Sequence, residues 1–250
     1  MKLQVWAIWM WVMLGSWVGV GQQAVWGVRV PKAEGPPIAT SEPSRNGTQI
    51  ADRDRVPDWA RLVDMTDINP SIILDMRYAT ANNFLNRELY PVARCALRAR
   101  VAEKLSRVQN ELQQRGLGLK VFDCYRPFSV TEEMWDVLPD PRYVANPAWG
   151  SRHNRGAAVD LTLVDREGRE LEMPTEFDDF TERAARDYRG PGVSETARRN
   201  SELLAAVMRK HGFVPLVTEW WHFDAADWRR FSILDVSLEA IPSQRGGSYR

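Results

Sequence analysis

Beyond residue 57 the apolar positions fall into short runs with two different periods. Val101, Leu105, Val108 and Leu112 mark one face of an amphipathic helix over 99–115, and Gly116 stops it. Leu117, Leu119 and Val121 alternate with polar or smaller neighbours, which predicts a strand running into Tyr125-Arg126-Pro127. Ala157, Val159, Leu161 and Leu163 alternate likewise, so Asp160 points away from their apolar face. Residues 72–78 read as another strand. Glu167-Gly168 reads as a turn that returns through 169–173 as a partner strand. Ser194 caps a helix that carries Leu203, Leu204, Val207 and Met208 and ends at His211-Gly212. The last strand expected covers 213–222. Strands and helices mix without regular βαβ alternation and without a repeat. That order predicts one α+β domain, with a central, mainly antiparallel sheet flanked by helices.

The segment before this domain has a different pattern. Residues 3–20 are apolar except for Gln4 and Ser16, and Lys2 precedes them. Gly19-Val20-Gly21 offers a small-x-small site, so 1–21 reads as a signal peptide cleaved before Gln22. The alternative is an uncleaved anchor, since the run is near the lower limit of roughly 17–25 residues for a membrane span. Either way the domain is expected to be exported, to a periplasm or outside the cell. Contact with a membrane is expected only through this segment, if it stays uncleaved. Residues 22–57 contain Pro31, Pro36, Pro37 and Pro43 and no apolar period, and read as a disordered linker. The domain is expected over 58–242, followed by a flexible tail at 243–250.

Composition narrows the class. Apolar residues make up 44% and charged residues 26% of the chain, as in globular proteins. Formal net charge is zero, and no basic stripe offers a footprint for nucleic acid. Cys95 and Cys124 are the only cysteines. In an exported chain an even count permits one disulfide, the alternative being two buried thiols.

Two short clusters carry the candidate chemistry. One runs from Ser151 to Asp160 and includes His153; the other is Glu219-Trp220-Trp221-His222. They hold two of the chain's three histidines. Two imidazoles and a carboxylate suffice to bind zinc with a position left open, and a spare carboxylate beside them can act as a base. The small residues Gly156-Ala157-Ala158 allow close backbone approach. Glu219 and His222 would face opposite ways on a flat strand, so the chain must turn or bulge at Trp220-Trp221 for both to reach one metal. The third histidine, His211, sits at a helix end and reads as structural.

Ser-x-His-x6-Asp followed by Glu-x-Trp-His resembles the zinc signature of D-Ala-recognising murein peptidases. Asp75-Met76-Arg77-Tyr78-Ala79-Thr80, Asp123-Cys124-Tyr125-Arg126-Pro127 and Glu219-Trp220-Trp221-His222-Phe223 resemble the D-alanyl-D-alanine dipeptidase family, the VanX type. The resemblance spans roughly 58–225. It departs from the best-known members at Arg152, where they carry Ser, and at Cys124, where they carry Gly. It implies one zinc ion per chain, held by His153, Asp160 and His222. Glu219 is then the general base towards water, and Arg126 stabilises the oxyanion. The bland reading of Arg126 is an ion pair with Asp123. Asp178 and Tyr78 match positions near the substrate's free ammonium, and Ser151 matches a pocket position, although it also suits a turn. The implied reaction is hydrolysis of D-Ala-D-Ala to two D-alanines in cell-wall peptide turnover. The rivals are a D,D-carboxypeptidase acting on longer murein peptides and a non-catalytic zinc-stabilised binding domain.

Overall fold

Five strands order as β2-β4-β5-β7-β6 and carry the site: β2 (Ile73–Leu74), β4 (Gly118–Asp123), β5 (Ala158–Val164), β6 (Phe213–Pro215) and β7 (His222–Ala225). Only β2 and β4 run parallel; the other pairs are antiparallel. A separate antiparallel pair joins β1 (Leu62–Asp64) to β3 (Ala96–Arg98). The helices are α1 (Met65–Ile68), α2 (Ala99–Gln113), α3 (Phe128–Val137) and α4 (Glu195–Lys210). The coordinates are a computed structural model and describe residues 56–243. The signal peptide expected at 1–21, nearly all of the linker expected at 22–57 and the tail after 243 lie outside the described residues.

The longest helices follow their apolar periods. α2 buries Val101, Leu105, Val108 and Leu112, each worth about 1.5–3 kcal/mol against exposure. Gln109 lies on the same face, and its amide oxygen accepts from the Leu119 N–H at 2.8 Å, so its burial is compensated. The chain leaves α2 through Gly116, whose φ of +73° favours glycine. At the start of α4 the Ser194 hydroxyl accepts from the Ala197 N–H at 3.0 Å. α2 and α4 touch each other; α2 packs on β4, and α4 on β5 and β6.

Several expected strands come out shorter. Residues 72–78 contribute only Ile73–Leu74 to the sheet before turning into a 3-10 helix at Arg77–Ala79. The expected return through 169–173 is a single bridge, Val164 to Glu170. β4 stops at Asp123, before Tyr125-Arg126-Pro127. α3 and the three-residue strands β1 and β3 were not legible beforehand.

Covalent and polar clasps hold the edges together. A disulfide joins Cys95, just before β3, to Cys124, just after β4, with Cα atoms 5.2 Å apart. Arg98 is buried and donates to three carbonyls far apart in sequence: Ala60, Arg155 and Ser232. Arg94 donates to the carbonyls of Leu238 and Ile241 and pairs with Asp64 at 3.1 Å.

Candidate active site

Asp160 on β5 and His222 on β7 are register partners, so their side chains share a face of the sheet. His153 reaches the same point from the 3-10 turn His153–Arg155, just ahead of β5. Gly156 ends that turn at φ +62°; a Cβ there would lie 2.7 Å from Leu62 Cδ2 and 3.3 Å from the Arg98 backbone nitrogen. The close approach foreseen for the small residues is thus made against β1 and β3.

The ligand atoms of His153, Asp160 and His222 lie within 4.8 Å of one another, and all three residues are buried. His153 Nε2 is 3.2 Å from His222 Nδ1 and 3.4 Å from Asp160 Oδ2, and His222 Nδ1 is 2.9 Å from Asp160 Oδ1. The remaining ring nitrogens are occupied elsewhere. His153 Nδ1–H donates to the Cys124 carbonyl at 2.6 Å, and His222 Nε2–H donates to Asp224 Oδ1 at 3.0 Å. Those bonds turn His153 Nε2 and His222 Nδ1 towards Asp160. Burial pushes the Asp160 carboxyl up, but His153 and His222 outweigh it and hold it well below the usual carboxylate range. Burial pushes the His222 imidazole down, but Asp160 and Asp224 raise it to about 10. Two imidazole nitrogens and a carboxylate oxygen converge, which is the donor set of a catalytic zinc site.

Residues 213–225 form a hairpin where a single strand is expected over 213–222. β6 ends at Pro215, β7 begins at His222, and 216–221 loop between them. The loop's backbone finds partners outside the sheet: Arg186 N–H donates to the Val217 carbonyl at 2.8 Å, and Trp220 N–H to the Ala184 carbonyl at 3.0 Å. Arg186 also grips the loop with its side chain, donating from Nε to the Leu216 carbonyl at 2.8 Å and from Nη2 to the carbonyls of Trp220 and His222. This loop is the turn that Glu219 and His222 required. Glu219 is 9% exposed and stands outside the three-ligand cluster. Among the described residues no hydrogen-bond donor meets its carboxylate, and burial pushes its pKa up to about 7.

A β-bulge builds the opposite wall. Regular pairing of β4 with β5 runs to Val121–Leu161 and then shifts, so Phe122 and Asp123 stand where one residue would oppose Asp160. Asp123 is fully buried and anchors Arg126, which donates to it from Nε at 3.1 Å and Nη2 at 2.7 Å. The ion pair considered for Arg126 therefore exists, and Arg126 still lines the cleft. Its guanidinium carbon also lies 5.1 Å from the Tyr78 ring centre. The Tyr78 hydroxyl donates to Asp178, 3.3 and 3.2 Å from the two carboxylate oxygens. Asp178 is half-buried, and its φ of +59° is uncommon for a non-glycine residue. Burial, reinforced by Asp160, pushes its carboxyl well above the ordinary range. Ser151 is engaged as a turn residue, its hydroxyl accepting from the His153 N–H at 3.1 Å while its side chain borders the cleft. Arg152 lies on the rim, its Nε 3.6 Å from Asp224. His211 is not part of the site; its Nε2 lies 2.8 Å from Glu111.

All eight predicted metal, catalytic and substrate residues border one cleft of about 240 Å³, to which neither α2 nor α4 contributes. The sequence reading missed three supports: Asp224 behind His222, the Cys124 carbonyl behind His153, and Arg186 behind the Glu219 loop.

An α+β sheet with a His-Asp-His donor set and an uncommitted buried carboxylate defines a mononuclear zinc hydrolase. The family model described as D-ala-D-ala dipeptidase matches residues 58–236. The chain is 37% identical over 177 residues to a D-alanyl-D-alanine dipeptidase of Escherichia coli strain K12, covering 71% of this chain and 91% of that one. It is 31% identical over 174 residues to a D-alanyl-D-alanine dipeptidase of Enterococcus faecalis, covering 61% and 85% respectively. Among solved structures it is similar to a vancomycin-resistance D,D-pentapeptidase in complex with Zn(II), with a TM-score of 0.35 and 16% identity over 53% of this chain and 74% of that chain. The chain belongs to the D-Ala-D-Ala dipeptidase family and is a zinc metallopeptidase.

Proposed function

We propose that this domain hydrolyses D-Ala-D-Ala to two D-alanines, with Glu219 as general base, Arg126 as oxyanion partner and Asp178 as the receptor for the substrate's ammonium. The observation that carries this reading is the cleft's polarity. One wall holds the His153, Asp160 and His222 donors with Glu219; the Tyr78–Asp178 pair also borders the cleft.

Zinc held by His153, Asp160 and His222 would polarise the scissile carbonyl and lower the pKa of water towards ~7. The protein's own groups supply the rest. Among the described residues no donor is bonded to the Glu219 carboxylate, and its pKa of about 7 suits a group that takes a proton and passes it on near neutrality. The Asp123 bonds use Nε and Nη2 of Arg126 and fix the guanidinium plane at the cleft wall. A fixed donor aimed at developing negative charge is worth about 3–4 kcal/mol, by analogy with loss of an oxyanion-hole donor. Desolvation makes the half-buried Asp178 costly to ionise alone, and an ammonium bound beside it would offset that cost. A cleft of about 240 Å³ is below the ~300–1,000 Å³ common for drug-sized ligands and suits a small peptide.

The deciding assay compares the zinc-loaded domain on D-Ala-D-Ala and on N-acetyl-D-Ala-D-Ala. Cleavage of the free dipeptide alone is expected. Equal rates on both would favour a D,D-carboxypeptidase instead.

We place the enzyme outside the cytoplasm, in a periplasm or secreted, acting in cell-wall peptide turnover. The apolar run at 3–20 and the Cys95–Cys124 disulfide support that placement. Amino-terminal sequencing of the mature protein distinguishes cleavage before Gln22 from retention as an anchor.

A further inference from the structure

Behind the Glu219 loop lies a second pocket of about 240 Å³ with an unusual charge. Five arginines line it (Arg183, Arg186, Arg189, Arg198 and Arg209) against one carboxylate, Glu202. The ion pairs present neutralise little of this. Arg183 is 3.1 Å from Asp179, and Arg189 only approaches Glu202, at 3.8 Å between largely exposed groups. No carboxylate lies within ion-pairing distance of Arg186, Arg198 or Arg209 among the described residues. Arg186 spends Nε and Nη2 on loop carbonyls, and Arg198 spends Nη2 on the Gly190 carbonyl at 2.8 Å. What remains is a pair of buried N–H groups, at Arg186 Nη1 and Arg198 Nε, with no acceptor in the protein.

Like charges crowded together cost free energy, and a buried guanidinium N–H without an acceptor costs more. Arg186 supports the Glu219 loop, but the other four arginines make no contact with that loop's carbonyls, and none of the five borders the catalytic cleft. Arg186 and Arg198 both line the pocket, and an oxyanion bound there would offset the crowded positive charge. Guanidinium groups match phosphate and carboxylate oxygens in shape and charge, and several converging arginines favour a dianion over a monoanion.

We infer that the pocket lined by Arg186, Arg198 and Arg209 is a binding site for a phosphate group, formed on the back of the loop that carries Glu219. The ligand is either the free ion or the phosphoryl end of a small ester. Arg186 is the shared element, since it reaches the pocket while holding the carbonyls of Leu216, Trp220 and His222.

The test is calorimetric titration of the zinc-loaded protein with inorganic phosphate, glycerol 3-phosphate and acetate at fixed ionic strength, in an organic buffer free of other oxyanions. Arg198→Gln and Arg209→Gln serve as variants, because neither residue touches the catalytic cleft. Saturable phosphate binding is expected, weakened roughly tenfold or more in each variant through loss of a charge-assisted bond. Both variants should keep wild-type activity in phosphate-free buffer, which shows that they fold. Tighter binding of the ester than of the free ion would identify a phosphoryl group as the ligand, and the reverse order would identify the ion. Three results would overturn the inference: no saturable binding of either phosphate compound by wild type, acetate binding as tightly as phosphate, or undiminished phosphate binding in both active variants. The phosphate titrations themselves do not depend on which peptide the enzyme cleaves.

Discussion

His222 and Asp224 stand two residues apart on β7 and so face the same way, and the imidazole Nε2–H donates to the carboxylate at 3.0 Å. That bond turns Nδ1 towards Asp160 and His153. Asp224→Asn should keep the fold but weaken zinc roughly 10–100-fold, the usual cost of losing an outer partner of a metal-bound histidine. Competition with a chelator of known affinity measures it. Unchanged zinc affinity would show that the ring is oriented by other contacts.

Three donors satisfy the metal and Glu219 is not among them. His153→Ala and His222→Ala should therefore lose zinc, whereas Glu219→Ala keeps it and loses turnover. Metal analysis of the purified variants decides the matter; a metal-free Glu219→Ala protein would make Glu219 a ligand.

The carboxylate of Glu219 is held against its own preference. An unfolded glutamate titrates near ~4.3, and burial in the cleft raises this one to about 7. The folded chain therefore binds the proton more tightly. Stability from this group is full below about 4.3 and is lost as pH rises through 7. In metal-free protein the neutral Glu219→Gln variant should be more stable than wild type at pH 8, by about 2–4 kcal/mol from the size of the shift, with little gain at pH 4. Urea unfolding at both pH values tests this. An equal gain at the two would point to packing instead of charge.

Much of this site was readable from the chain because its donors sit in two compact clusters, and the structure brings both to one face. His153 and Asp160 are joined by a tight glycine turn, and Glu219 and His222 by a loop. The missed supports are of a different kind. Asp224 was open to discovery, since alternation on a strand puts it on the His222 face. The Cys124 carbonyl has no side-chain signature at all. Among the elements, α2 and α4 have clear periods and end signals. α3 hides because only Val130, Thr131 and Met134 of its ten residues are buried, too few to set a period. Leu216 and Val217 prolong the apolar run of the final hairpin, so the sequence alone predicts one strand there, although neither residue is in the sheet.

Asp178 should govern discrimination more than chemistry. Asp178→Ala is expected to raise KM for D-Ala-D-Ala and to lower kcat/KM by roughly 10–100-fold, the equivalent of one charged hydrogen bond. Tyr78→Phe should have a smaller effect in the same direction, since it removes only the hydroxyl bonded to Asp178. Steady-state kinetics on free and N-acetylated dipeptide separate these effects. Unchanged kinetics in Asp178→Ala would move ammonium recognition to another residue.

The disulfide closes a loop across a sequence separation of 29 residues, which in the chain-entropy model stabilises the fold by roughly 3–4 kcal/mol. Replacing both cysteines by alanine should lower stability by about that amount. It should also loosen zinc, because the Cys124 carbonyl holds His153. Paired unfolding and zinc-competition measurements would separate the two effects, and intact zinc affinity would confine the bond to a stabilising role.

The clasps made by Arg98 and Arg94 bear on where the catalytic unit can be cut. Family similarity ends at residue 236, yet Arg94 holds the carbonyls of Leu238 and Ile241, and Arg98 holds Ser232 together with Arg155 of the His153 turn. A chain trimmed at the family border would strip Arg94 of both carbonyls. A cut a few residues earlier would leave a buried guanidinium unsatisfied next to a metal ligand's own turn. The smallest fragment expected to keep its zinc therefore runs to Ile241, and its final residues count as part of the metal site's scaffold although none of them borders the cleft.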